Sequence, residues 1–205
     1  RKVLEGCTLS MEPGEVTALI GPSGSGKTVV AALAAAICID SGYQCALMAP
    51  TEILAEQHFR KLIGWLEPLG ITTAWLTGSQ KTRERRAMLE LITSGQAMLV
   101  IGTHAVIQDK VVFRNLALAI IDEQHRFGVA QRLALRSKMA PDAAGAARQR
   151  EPHLLMMSAT PIPRTLAMSL EGIRDFSVIA TAPQKRLAIK TFVAKGGDGI
   201  IREAI

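Results

Sequence analysis

Eight residues of this chain have the types and the order needed to hold phosphate: Gly21-Pro22-Ser23-Gly24-Ser25-Gly26-Lys27-Thr28. The spacing, G-x-x-x-x-G-K-[ST], puts glycines where a backbone must wrap closely around an anion, so that successive N–H groups can point inward. Lys27 has the reach for the β- and γ-phosphates of ATP, and Thr28 has a hydroxyl for Mg²⁺. Gly21, Ser23, Gly24, Ser25, Gly26, Lys27 and Thr28 are therefore nucleotide-binding candidates. A second set follows the apolar run Leu116 to Ile121, which ends in Asp122-Glu123. An acid delivered there by a strand can hold Mg²⁺, directly or through water, and the next acid can orient and activate an attacking water. Thr28 and Asp122 are thus the metal candidates and Glu123 the candidate base. Gln124 and His125 continue the run as Asp-Glu-x-His and join Lys27 and Glu123 in the candidate catalytic set.

These residues need a scaffold, and the chain alternates strand-like and helix-like segments. The strands are Val16–Ile20, Gln44–Ala49, Thr72–Leu76, Ala97–Gly102, Leu116–Ile121 and His153–Ser158, with further candidates at Phe176–Thr181 and Ala188–Val193. Between them the patterning predicts helices over Lys27–Asp40, Glu52–Leu66, Thr82–Ser94, Val129–Ser137 and Arg164–Leu170, and a short helical turn over Ala105–Gln108. Repeated β-then-α order, with strands that are continuous apolar runs, predicts an α/β fold: a mostly parallel central sheet flanked by helices on both faces. Ligands then belong at the carboxyl ends of the strands. Ala140 to Glu151, small and polar, reads as a surface loop.

The 205 residues suit one such domain with a short appendage, and 48% apolar content suffices for its core. The net charge of +6 favours a polyanionic partner only modestly. Three cysteines, Cys7, Cys38 and Cys45, show no Cys-x-x-Cys spacing. They read as reduced, buried hydrophobes in a cytoplasmic protein. No apolar run reaches the length of a bilayer, so no membrane partner is expected. The absence of an initial Met and the helix-like run Asp198 to Ile205 at the end suggest a piece of something longer.

Short motifs follow the other strands: Ala49-Pro50-Thr51-Glu52, Leu76-Thr77-Gly78-Ser79, Ile101-Gly102-Thr103-His104 and Ser158-Ala159-Thr160. The first three should line one edge of the sheet, where small and hydroxyl residues suit a phosphate backbone, and Ser158 and Thr160 have the spacing of a hydroxyl pair that could sense the state of the acids. Their joint order, with the two nucleotide motifs, resembles the first motor domain of superfamily 2 DNA translocases. From about Lys27 to Arg164 the likeness is to RecG-type branch-migrating helicases, carried by Ala49–His58 and Ile121–Gly128. From about Ser169 it is similar to the transcription-repair coupling factor. The first 26 residues look instead like the opening of an ABC-transporter nucleotide-binding domain, so a chimera spliced at shared motifs is one expectation and a divergent natural homologue the other.

The resemblance implies a RecA-like ATP-binding motor domain over residues 1–182, with 183–205 beginning a linker or a second motor domain. It implies ATP-driven translocation on branched or double-stranded DNA in repair and recombination. It casts Thr51, Thr77, Gly78, Thr103 and His104 as DNA contacts. Ser158 and Thr160, with Gln124 and His125, would couple nucleotide state to DNA and to a second RecA-like motor domain that this chain lacks.

Two other readings stand beside this one. One is an ABC-type ATPase, since Leu76-Thr77-Gly78-Ser79-Gln80 resembles that family's signature. Against it, Asp122 lies 42 positions beyond Gln80, whereas that family keeps its signature just ahead of the acids. The other is a nucleotide- or DNA-binding fragment without turnover. Elsewhere the bland reading prevails. His58 and His153 read as packing or surface residues, and Arg83, Arg85 and Arg86 as a solvated helix face. Trp65 and Trp75 read as core or rim, and Met156 and Met157 as core. Arg126 and Phe127 are read as contacts to DNA or to a neighbouring domain.

Overall fold

The computed structural model describes residues 16–21, 24–123, 126–127, 153–159 and 176–178. Seven strands form one sheet: β1 Val16–Ile20, β2 Gln44–Met48, β3 Thr73–Leu76, β4 Leu99–Gly102, β5 Leu116–Ile121, β6 His153–Ser158 and β7 Phe176–Val178. Their spatial order is β3-β4-β2-β5-β6-β1-β7, and every pairing is parallel. The helices are α1 Lys27–Asp40, α2 Glu52–Leu66 and α3 Thr82–Thr93, with 3₁₀ turns at Glu67–Leu69 and His104–Ile107. The predicted α/β architecture is therefore the observed one. The expected segments at 129–137, 140–151, 164–170 and 188–193 lie outside the described residues.

Side-chain alternation along buried strands sorts the core into two layers. Ala46 and Met48 of β2, Val100 of β4, Ala119 and Ile121 of β5, and Leu154 and Met156 of β6 face one side. There Met88, Leu89 and Leu91 of α3 and Val106 of the second 3₁₀ turn cover them, together with Phe113. Cys45, Leu47, Leu99, Ile101, Leu118, Ile120, Leu155 and Met157 face the other side, against Val30, Ala31 and Ala35 of α1 and Leu62 and Leu66 of α2. Phe127 is buried in the first layer, so it is a core residue and not a contact to DNA or a neighbouring domain. Burial raises the thiol pKa of Cys38 to about 11 and pushes that of Cys45 up as well, which keeps both unreactive.

Local chemistry sets the element ends. Thr51 caps α2, its hydroxyl accepting from the Leu54 N–H at 3.3 Å. Gly42, at φ +83°, turns the chain from α1 towards β2. Gly102 is needed for a different reason: a Cβ there would lie 1.9 Å from the Leu76 carbonyl oxygen. Only glycine lets β4 end against β3 with the Thr103 N–H donating to that carbonyl at 3.1 Å.

Gln44 is the least expected part of the frame. Fully buried at the start of β2, it donates through Nε2 to the carbonyls of Ile92 and Ala97 at 2.9 and 2.8 Å. Its Oε1 accepts from the N–H groups of Arg114 and Asn115 at 2.8 and 3.1 Å. One amide thus joins the end of α3 and the approaches to β4 and β5.

Candidate functional site

The parallel register brings the strand ends level. Ile20 pairs with Ser158, Met156 with Ile121, Ile121 with Met48, Met48 with Gly102, and Gly102 with Leu76. Each residue that follows a strand therefore emerges on the same edge, as predicted. The strand order then separates the residues into two groups. Gly21, Ser158 and Asp122 sit on the adjacent ends of β1, β6 and β5, whereas Thr51, Thr103 and Thr77 follow β2, β4 and β3. The boundary falls between β5 and β2, and sequence order does not show it.

In the first group, the Gly21 N–H donates to the Ser158 carbonyl at 3.2 Å, which joins the loop to the end of β6. Gly24 and Gly26 hold φ of +83° and +99°, the left-handed region that glycine enters without a steric penalty. Gly26 leads into α1 with no side-chain cap, and the first turn of that helix carries no acid. Ser25 is fully buried, and its Oγ has no hydrogen-bond partner among the described residues. An uncapped helix start, left-handed glycines and an orphaned buried hydroxyl together fit an anion such as a nucleotide phosphate. Lys27 is buried, and its Nζ donates to the Gly21 carbonyl.

Asp122 follows Ile121, so strand parity puts it on the side of Leu118 and Ile120, the side that carries α1 and α2. Its N–H donates to the Met48 carbonyl at 2.9 Å. Glu123 would ordinarily point to the opposite side. Instead its backbone enters the left-handed region at φ +49°, and its N–H donates to Asp122 Oδ1 at 3.0 Å. A non-glycine residue held there costs about 1–3 kcal/mol, a strain typical of functional turns. Burial pulls the Lys27 ammonium below its ordinary pKa, and the charges of Asp122 and Glu123 oppose that shift. Lys27 and both acids thus share one electrostatic site.

The donor set tests the fit to Mg²⁺. Thr28 supplies a hydroxyl and Asp122 a carboxylate, hard oxygen donors suited to that ion. Among the described residues, no group of three or more His, Cys, Asp or Glu side chains could hold a metal by itself. The arrangement therefore suits an ion that shares its coordination with phosphate and water.

Sequence reasoning missed one member of this site. His58, taken for a packing or surface residue, is buried on α2 with Nε2 2.7 Å from Asp122 Oδ2. Its place near the end of the Ala49–His58 motif was the available signal, but contact across 64 positions is invisible to spacing.

In the second group the turn after β3 is tightly held. The Thr77 N–H donates to Gln80 Oε1 at 3.1 Å, Gln80 Nε2 donates to the Trp75 carbonyl at 3.0 Å, and Arg85 Nη1 donates to the Thr77 carbonyl at 3.0 Å. Arg85 also donates to Gln108 Oε1 at 2.7 Å, so it is a strut and not part of a solvated face. Glu52 accepts from the N–H and hydroxyl of Ser79 at 3.2 and 2.8 Å, clasping the start of α2 to this turn. Thr51, Gly78 and His104 are exposed on the edge, but Thr77 and Thr103 are buried. Thr77 and Thr103 lie in the turns that lead to Gly78 and His104, whereas Thr51 caps α2. Ser23, Gln124, His125 and Thr160 lie outside the described residues.

With this geometry in view, the DEAD/DEAH box helicase family matches residues 5–169. The ATP-dependent DNA helicase RecG of Pasteurella multocida (strain Pm70) is 54% identical over 171 residues, covering 83% of this chain and 24% of that protein. The RecG of Escherichia coli (strain K12) matches with the same identity and coverage. A solved structure of RecG bound to a three-way DNA junction superposes with a TM-score of 0.67 at 38% identity, over 85% of this chain and 22% of that one. The chain thus spans about a quarter of the length of these curated relatives. The family match begins inside the ABC-like opening and ends at 169. These comparisons lend no support to the ABC-like and coupling-factor-like parts or to a splice.

Proposed function

Because the chain belongs to the DEAD/DEAH box helicase family, we propose that it is the ATP-binding motor domain of a RecG-type DNA helicase or translocase in repair and recombination. The observation that carries this reading is the convergence of Gly21, Asp122 and Ser158 on adjacent strand ends, with both acids acting on Lys27. Lys27 holds the β- and γ-phosphates of ATP. Thr28 and Asp122 would hold Mg²⁺, which when bound would neutralise charge on the phosphate oxygens. Glu123 orients and activates the attacking water. Gln124, His125, Ser158 and Thr160 pass the state of this site to a second motor domain and to DNA. Thr51, Gly78 and His104 meet the DNA backbone, with Thr77 and Thr103 shaping their turns. Branched or double-stranded DNA is the expected substrate, in keeping with the names of the relatives.

We take residues 1–182 as this motor domain and 183–205 as the start of a linker or second domain. The translocases that this chain resembles complete their site with arginines from a second motor domain, and the loss of such an arginine typically slows hydrolysis about 10³–10⁵-fold. Slow turnover by this chain alone is therefore expected. The family match does not favour the ABC-type reading, and four strands stand between β1 and β3, which ends at the Leu76 of Leu76-Thr77-Gly78-Ser79-Gln80.

The test is a thermal melt with and without ATP and Mg²⁺. A ligand that binds only the folded state adds about 2.7 kcal/mol at 100 times its Kd. The parent and Glu123→Gln should both gain this stabilisation, and Lys27→Ala should lose it. Residual hydrolysis should vanish in Glu123→Gln. An unshifted parent melt would remove the nucleotide site, and normal turnover by Glu123→Gln would exclude that residue as the base.

A further inference from the structure

We infer that His58 is the positioning residue for the Mg²⁺-binding carboxylate of Asp122. The inference rests on the nucleotide reading above and adds a residue to it. Asp122 has both oxygens engaged: Oδ1 accepts from the Glu123 N–H at 3.0 Å, and Oδ2 lies 2.7 Å from His58 Nε2. An ionised carboxylate only accepts, so His58 carries a proton on Nε2 and donates it. Two bonds from different elements fix the plane of the carboxylate and leave each oxygen a further lone pair. Both side chains are about nine-tenths buried, so water competes poorly for the bond.

Metal sites commonly orient a ligand through a partner outside the ligand set, and removing that partner costs about 10–100-fold in metal affinity. Here the partner sits on an element with a second attachment. His58 lies six residues beyond Glu52 on α2, about 9 Å along the axis. Glu52 holds Ser79 on the other half of the sheet edge. One helix therefore touches the acid of the nucleotide half and the turn of the nucleic-acid half.

The experiment is a Mg²⁺ titration of ATP-induced thermal stabilisation in the 205-residue chain, compared with His58→Gln and His58→Met. Glutamine and methionine fill similar space, but only glutamine retains an N–H donor. The glutamine variant should keep the parent's Mg²⁺ midpoint to within about threefold, whereas the methionine variant should need roughly tenfold more Mg²⁺ or above. Stabilisation by ATP in EDTA should be equal in all three. A methionine variant with the parent's midpoint would overturn the inference, as would equal losses with and without Mg²⁺. A methionine variant that no longer melts cooperatively, beside a glutamine variant that does, would make the contact structural and equally overturn it. If the parent itself gains nothing from ATP at any Mg²⁺ concentration, the nucleotide reading fails and the role of His58 falls with it.

Discussion

Glu123 shows how a single residue can be set against its own backbone. Its left-handed φ of +49° breaks the alternation of β5 and lets two consecutive acids act on one lysine. The conformation is one that glycine adopts freely. Glu123→Gly and Glu123→Gln both remove the charge, and only the first relieves the backbone. The glycine variant should therefore be the more stable of the two, by about 1 kcal/mol. Denaturant unfolding of the pair measures this directly, and equal stabilities would show that the turn is not strained. Neither variant should hydrolyse ATP, so stability and activity separate at this position.

Among the elements, β2 is the hub. It lies between β4 and β5, at the boundary between the edge residues of β1, β6 and β5, proposed for nucleotide, and those of β2, β4 and β3, proposed for DNA. Its first residue, Gln44, satisfies four backbone groups from three segments. Leucine there would preserve volume and strand propensity but leave the buried Ala97 carbonyl and the half-buried N–H groups of Arg114 and Asn115 without this partner, while the Ile92 carbonyl keeps the Gly95 N–H. Each buried unsatisfied group costs about 1–3 kcal/mol. Gln44→Leu should therefore lower stability by about 2 kcal/mol or more, with α3 and the approaches to β4 and β5 losing amide-exchange protection first. A loss under about 1 kcal/mol would mean that these groups find other partners. Helix α2 does complementary work: Thr51 caps it, Glu52 ties it to Ser79, and His58 reaches Asp122.

At the scale of the whole molecule, the division of the sheet edge predicts two separable binding behaviours. The proposed nucleotide binding at β1, β5 and β6 would rest on the buried Lys27, so it should tolerate salt. Binding of DNA along β2, β4 and β3 should be weak for this chain alone and steeply dependent on salt. Each phosphate neutralised contributes about 0.9 to the slope of log affinity against log salt. Fluorescence anisotropy with a labelled duplex or junction, repeated from low to physiological salt, reads that slope. A slope near zero would remove the nucleic-acid reading of this edge while leaving the nucleotide site intact. Among the described residues, no helix is long and apolar enough to cross a membrane.

The sequence by itself determined the parts whose cause is local. Loop glycines, strand-ending acids and apolar runs depend on neighbours a few positions apart. Strand β1 and helices α1 and α2 were therefore legible to within a residue or two, as was the shared edge that follows from parallel strands. The tertiary structure alone decided what depends on which strand lies beside which. It set the order β3-β4-β2-β5-β6-β1-β7, and with it the split between the two halves of the edge. It turned Arg85 from a solvated charge into a strut, Phe127 into core and His58 into the partner of Asp122. The reason is range. A hydrogen bond between residues 64 positions apart leaves no periodicity in the chain. Only the packing of α2 against the sheet brings its two ends together.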